Sequence, residues 1–485
     1  MNKPIRRVAI FCMVLVLALL VRINWVQGVQ AKALNTNKNN QRVAIEEYAN
    51  PRGNIVVDGK PVTKSIDVNG YRYKYKQGFT DGALYAPITG YSSQTYGSTG
   101  LEALESGILD GSDDRLFYSN TLDMLTGKPK QGGNVITTIN AKVQQAAYDG
   151  LQGKKGAAVA IDPSTGKILA LVSVPSYDPG KFAGMTSSDQ AAWKQDTTDP
   201  DQPMLDRALR QTYPPGSTFK LVTSAAALEA NPNLDINAPT DSPDPYPLPL
   251  STDKLQNEGN IPCLNASLMQ ALQYSCNTVF GKLGDTLGQS AMLAEAKKFG
   301  FDDPNITIPI GASESTFIQK EDQAELALSS IGQFDTAATP LQMAMVGAAI
   351  ANNGTLMKPY LVAEEESANL SVISQTKPQE YSQPLSAANA QKLQQMMENV
   401  VQKGTGTTAQ IPGVTVGGKT GTAQHGVGNS GNPYAWFVSY AKVGDSSPIA
   451  VAVVVEASAT QRSEISGAGL AAPIAKAMME ADLGK

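Results

Sequence analysis

Five serines in the 485-residue chain stand three positions ahead of a lysine: Ser164–Lys167, Ser217–Lys220, Ser251–Lys254, Ser374–Lys377 and Ser439–Lys442. A serine hydroxyl becomes a nucleophile when a neighbouring group takes its proton. Histidine is the commonest such base, but the chain has one, His425, and no G-x-S-x-G elbow accompanies it. A zinc site of two or three histidines is excluded for the same reason, and the three cysteines are not in a C-x-x-C arrangement. No GxxxxGK[ST] phosphate loop is present. Lysine remains as the base, provided burial and nearby cations let it shed its proton near neutral pH.

Four of the five pairs read as ordinary turn or strand residues. Ser164–Lys167 lies in a hairpin turn, and Ser251–Lys254 follows a Pro-rich loop. Ser374–Lys377 precedes Pro378 in a polar stretch. Ser439–Lys442 sits on a period-two strand, where residues three apart face opposite ways. Ser217–Lys220 differs. Pro214-Pro215-Gly216 supplies a turn, and an apolar helix follows through Phe219, Val222, Ala225, Ala226 and Leu228. Serine then opens the helix, with lysine ~4.5 Å along its axis on nearly the same face. The first helical N–H groups point at negative charge developing on an attacked carbonyl. Taken alone, Ser217 reads equally as a plain N-cap.

Two further motifs change that balance. Ser275-Cys276-Asn277 falls in a stretch, Ala266–Leu283, whose pattern predicts continuous helix. Lys419-Thr420-Gly421-Thr422 falls on a predicted strand and holds the one Lys-[Ser/Thr]-Gly triplet of the chain. Ser-x-Asn recurs at Ser367–Asn369 and Ser430–Asn432, so it is the ordered set of three that is specific. That set resembles the penicillin-binding proteins and serine β-lactamases. "AVAIDPSTGKILALVSVPSYDP", "YPPGSTFK" and "IGQFDTAATPLQMAMVGAAIANNGTLMKP" resemble segments of their transpeptidase domain. "PRGNIV" and "YGSTGLEALESGILDG" resemble the amino-terminal pedestal of class B members, of the actinobacterial penicillin-binding protein A type.

The resemblance implies an α+β fold with an antiparallel sheet flanked by helices and an all-helical subdomain. It implies a serine D,D-transpeptidase that cross-links peptidoglycan stem peptides and is acylated by β-lactams. Ser217 would be the nucleophile and Lys220 its base. Ser275 would relay the proton to the leaving D-Ala amine, and Asn277 would hold Lys220 and the substrate amide. Lys419 would supply positive potential, and Thr420 and Thr422 would bind the substrate carboxylate. The Ser217 and Thr422 N–H groups would form the oxyanion hole. Gly421 would leave room for substrate to add along the strand edge. No metal or cofactor is implied. A SEDS-type glycan polymerase is implied as partner. A D,D-carboxypeptidase or β-lactamase on the same fold, and a non-catalytic β-lactam sensor or scaffold, are the alternatives. His425 follows the third motif and either borders the cleft or is a solvated loop residue.

These motifs need elements to hold them. Apolar residues make up 42% of the chain and charged residues 17%, which is globular composition. Residues 1–27 carry Lys3, Arg6, Arg7 and Arg22 and no acid, so the remainder is more acidic than the overall −5. A net-acidic body argues against nucleic-acid binding. Val8–Val21 is an unbroken apolar run of 14 residues behind a basic flank. On length alone it is a signal-peptide core or a short membrane helix; extended to Val26, with Ala31-Lys32-Ala33 too far beyond the run for a cleavage site, it favours an uncleaved single-pass anchor with the catalytic part outside the cytoplasm. The expected organisation is anchor 1–27, linker 28–42, pedestal 43–130 and transpeptidase domain 131–485. In the pedestal, Tyr71–Tyr75 alternates like a half-buried strand. In the transpeptidase domain, strands from both sequence ends form one sheet packed on helices. Cys263 and Cys276 lie in the exported part, where a disulfide persists if their Cα atoms are close enough. Sequence alone leaves their pairing open.

Overall fold

The computed structural model describes residues 3–35, 45, 47–70, 73–116, 131–317, 322–424, 426 and 429–485. Helix α1 (Lys3–Trp25) buries none of its side chains. Its 23 residues rise ~34 Å, enough for a bilayer core of ~30 Å. The helix runs on through Gln30 to Asn35, so the first part of the expected linker is helical. The rest of that linker lies outside the described residues.

The pedestal begins with β1 (Ile55–Val57) and β2 (Lys60–Pro61), an antiparallel hairpin. A second hairpin joins β3 (Thr63–Asp67) to β4 (Tyr75–Phe79). The strand expected at Tyr71–Tyr75 therefore starts at Tyr75, and Tyr71 and Arg72 lie outside the described residues. Strand β5 (Asn134–Thr137) runs parallel to β1, with Ile55 opposite Val135.

Helix α2 (Ala141–Leu151) follows, with the Asn140 side chain accepting from the Lys142 and Val143 N–H groups. Strands β6 (Lys154–Ile161) and β7 (Ile168–Val174) form the expected hairpin about Asp162–Gly166. The helical middle contains α3 (Lys220–Ala230), α4 (Leu268–Tyr274), α5 (Asn277–Leu287) and α6 (Pro340–Ala351). Helix α6 starts with Thr339 as cap and Pro340 in the first turn, where a missing N–H costs nothing. It is apolar all round because protein surrounds it. Strands β8 (Val362–Glu366) and β9 (Val372–Gln375) then lead to α7 (Ala387–Lys403). The chain closes with β10 (Thr415–Ala423), β11 (Tyr434–Val443), β12 (Ser446–Ser458) and α8 (Ala472–Leu483).

The main sheet has the order β10-β11-β12-β6-β7 and is antiparallel throughout. Both sequence ends supply it, as the pattern predicts. Helices α2 and α8 cover one face, packing Val143, Ala147, Ala475 and Met478 against Val451 and Val453. Helix α6 packs on the other, against Ala450, Ala452 and Val454. Successive residues of β12 thus enter opposite cores, which is why that strand is apolar at every position from Ile449 to Val455. The second sheet has the order β9-β8-β5-β1-β2. It joins amino-terminal strands to residues 362–375, so the pedestal sheet is completed by chain from beyond residue 131.

Candidate active site

The turn that carries Ser217 is fixed to the sheet before the serine is reached. The Tyr213 hydroxyl donates to Glu456 at 3.0 Å, and the buried Arg207 guanidinium contacts the same carboxylate at 3.3 Å. The Trp436 indole N–H donates to the Pro214 carbonyl at 3.0 Å. Gly216 takes φ +53° and donates its N–H to the Gly332 carbonyl at 2.8 Å. Residues Gly216–Phe219 form one 3-10 turn that runs straight into α3. Ser217 is half-buried in that turn, and Lys220 is fully buried at the start of α3.

Gly421 has a packing reason the sequence reading did not include. A Cβ there would lie 3.0 Å from Thr218 Cγ2 and 3.1 Å from the Pro215 carbonyl. The glycine lets β10 press against the turn that carries Ser217.

Lys220 Nζ donates to the Ser275 carbonyl (2.7 Å) and Asn277 Oδ1 (2.7 Å), and lies 3.2 Å from Ser275 Oγ. Two N–H groups are thus spent on strong acceptors, and the third position faces a hydroxyl that either donates or accepts. Lys419 Nζ donates to the same Ser275 Oγ at 2.9 Å and to the Thr420 carbonyl at 2.8 Å. Ser275 therefore sits between two buried lysines. Burial pushes Lys220 well below the usual 10.5, and the charge of Lys419 pushes it further, against the opposing pull of Glu258. Burial also lowers Lys419, to about 7, again opposed by Glu258.

Ser275-Cys276-Asn277 is not mid-helical, and the helix expected over Ala266–Leu283 is broken there. Ser275 ends α4 in the left-handed region at φ +61°, and Asn277 begins α5. Left-handed backbone is costly for serine. It gives the sharp reversal that aims Ser275 Oγ at both lysines. Cys276, between them, is disulfide-bonded to Cys263 with Cα atoms 5.6 Å apart.

The structure brings Lys220, Ser275, Asn277 and Lys419 into one hydrogen-bonded cluster, with Ser217 one turn from Lys220 and the 420–422 strand alongside. The Thr420 hydroxyl pairs with that of Thr405 at 2.6 Å, and Thr422 is half-buried. His425 lies outside the described residues. Of the look-alike pairs, Ser164 is tied into its turn by Asp162 at 2.7 Å, and Ser439 is buried within β11. Among the described residues no group of three or more His, Cys, Asp or Glu is placed to hold a metal ion.

Sequence reasoning missed Thr405, Glu258 and Asn257. The Asn257 side chain accepts from the Thr278 N–H at 3.1 Å and donates to its hydroxyl at 3.0 Å, capping α5 from a distant loop. No local pattern marks such a cap.

Comparison with known proteins agrees with this geometry. The penicillin binding protein transpeptidase domain profile matches residues 156–480. The penicillin binding protein A dimerisation domain profile matches residues 52–135. The peptidoglycan D,D-transpeptidase PbpA of Mycolicibacterium smegmatis is 43% identical over 100% of this chain and 99% of its own. Its Mycobacterium tuberculosis counterpart is 42% identical over the same shares. The solved penicillin-binding protein A of M. tuberculosis, as a ceftriaxone acyl-enzyme, superposes with a TM-score of 0.85 at 42% identity. That match covers 90% of this chain and 100% of the other. The penicillin G acyl-enzyme of the same protein superposes with a TM-score of 0.83 at 41% identity, covering the same shares. With motifs, fold and relatives in agreement, this chain belongs to the penicillin-binding protein transpeptidases.

Proposed function

We propose that Ser217 is the nucleophile of a peptidoglycan D,D-transpeptidase and that Lys220 is its base. The observation that carries this is the pair of buried lysines meeting at Ser275 Oγ, one turn from Ser217. Two like charges this close do not both persist in a buried site, so Lys220 is held neutral while Lys419 keeps the local potential positive. Neutral Lys220 accepts the Ser217 proton as Oγ attacks the penultimate D-Ala carbonyl. The Ser217 and Thr422 N–H groups receive the oxyanion. Ser275 passes the proton to the departing D-Ala amine, and an acyl ester remains on Ser217. An acceptor amine then forms the new amide, and its proton returns to Ser217 Oγ as the ester breaks. Asn277 orients Lys220, and Thr420 and Thr422 hold the terminal carboxylate of the donor or a β-lactam.

The amino-terminal apolar helix fits a membrane anchor. On the basic flank of Lys3, Arg6 and Arg7, the proposed topology is a single pass with the catalytic domain outside the cytoplasm. The proposed division of the chain is anchor 1–27, linker 28–42, pedestal 43–130 and transpeptidase domain 131–485. A SEDS-type glycan polymerase is proposed as partner on the family resemblance.

The test is covalent labelling of the detergent-solubilised full chain with fluorescent penicillin. A stable adduct that maps to Ser217 is expected. An adduct on any other residue contradicts the assignment, and rapid turnover of the antibiotic indicates a hydrolase instead.

A further inference from the structure

Glu258 is used by none of these steps, yet its position is built with care. It lies on the loop that follows the two-residue strand Lys254–Leu255, which pairs with Tyr246–Pro247. That loop is fastened to the first turn of α5. Asn277 Nδ2 donates to the Gln256 carbonyl at 3.1 Å, Asn257 caps Thr278, and the Cys263–Cys276 disulfide closes the other end. The same Asn277 holds Lys220 through its other atom, Oδ1. Glu258 follows directly and is exposed, whereas both lysines are fully buried. Among the described residues it has no ion-pair partner. Among the described residues, its charge opposes the lowering of both lysines.

The reaction poses a problem that such a group answers. An acceptor stem peptide brings a primary amine, which is an ammonium ion in neutral water. A site whose local potential Lys419 keeps positive repels that ammonium on approach. We propose that Glu258 is an acceptor-recognition residue, whose exposed carboxylate receives the ammonium group of the incoming stem peptide and so favours aminolysis of the acyl-enzyme over hydrolysis. This rests on the reading of Ser217 as the acylated residue. The ammonium sheds one proton to solvent to become the nucleophile. The amine then bonds to the acyl carbon, the ester C–O bond to Ser217 breaks, and the second amine proton goes to Ser217 Oγ. Glu258 binds and orients and takes part in no bond change.

The test uses the full chain in detergent, an N-acylated D-alanyl thioester as donor and D-alanine as acceptor. Aminolysis and hydrolysis drain the same acyl-enzyme, so their product ratio does not depend on how fast acylation occurs. Glu258→Gln is expected to lower the aminolysis-to-hydrolysis ratio about three- to tenfold and to raise the D-alanine concentration giving half-maximal aminolysis, as for an exposed charge contact. Glu258→Lys is expected to lower the ratio further, and Glu258→Asp to retain most of it. A ratio unchanged in both Gln and Lys variants overturns the proposal. So does a rise in the ratio through slower hydrolysis, which would make Glu258 a water-activating base. Failure of the wild type to form an adduct at Ser217 would instead overturn the reading on which it rests.

Discussion

Arg52 in the pedestal and Lys220 in the transpeptidase domain are both buried cations, and the chain treats them in opposite ways. Arg52 donates to Glu47 at 2.8 Å and to the Glu102 carboxylate at 3.1 Å, and Gln77 donates to the other Glu102 oxygen at 2.7 Å. Burial alone would lower the Arg52 pKa, but Glu102 and Glu47 outweigh it and leave it raised. Among the described residues, Lys220 has no carboxylate in contact. Its hydrogen-bond partners are a carbonyl, an amide oxygen and a hydroxyl, and the charge that acts on it most strongly is that of another lysine. A buried cation with paired carboxylates serves the fold. A buried cation set beside its like is held at a free-energy cost, and its readiness to lose a proton is the return.

The first way to break this contrast is to remove the group the lysines serve. Ser217→Ala is expected to abolish the penicillin adduct entirely, read by in-gel fluorescence. Persistent labelling at full intensity would show that another nucleophile is used.

Lys220→Arg keeps the charge but cannot release its proton. Acylation by penicillin is expected to fall ~10²- to 10⁴-fold in stopped-flow measurements. A loss of less than about tenfold would mean that Lys220 acts only by its charge.

Arg52→Ala tests the other side. It leaves Glu102 buried and uncompensated, at a cost of ~3–5 kcal/mol in denaturant unfolding. Folded protein should still label at Ser217. Unchanged stability would remove the contrast.

Lys419→Met sharpens it with a sign. The folded pKa of Lys419, about 7, lies below its ordinary 10.5. Below pH 7 the lysine is charged in both folded and unfolded chains, and the cost of burying that charge is fully present. Between the two values the unfolded chain binds the extra proton, so wild-type stability rises with pH. The variant should therefore be at least as stable as wild type at pH 6, and its advantage should shrink as pH rises from 7 towards 10. An advantage that grows over that range would contradict the assignment.

The smallest effect is expected at Thr405. Thr405→Val removes the partner of the Thr420 hydroxyl, worth ~0.5–1.5 kcal/mol, and should slow acylation by a few-fold to tenfold. A larger loss would place Thr405 in contact with the substrate.

The candidate site side chains and the sheet plan were legible in the sequence because both rest on local pattern. The turn before Ser217 and the period of the closing strands are written in neighbouring residues. The break at Ser275 was not legible. "ALQYSCNTVF" has a helix-compatible pattern, and the left-handed residue is fixed by partners far away: the Cys263 disulfide, Lys220 and Lys419. The closure of the pedestal sheet by residues 362–375 escaped for a related reason, since a strand's partner across ~230 positions leaves no local mark. Glu258 was hidden because a single exposed glutamate in a loop looks like solvation until the buried lysines on which its charge acts are seen.

The proposed mechanism needs Lys220 to be a free amine at working pH. It is tested most directly by titrating the lysine Nζ resonances of the isotope-labelled protein by NMR, with Lys220→Arg to assign the signal. Lys220 is expected to lose its proton well below the usual 10.5. A Lys220 signal that titrates with the surface lysines would contradict it.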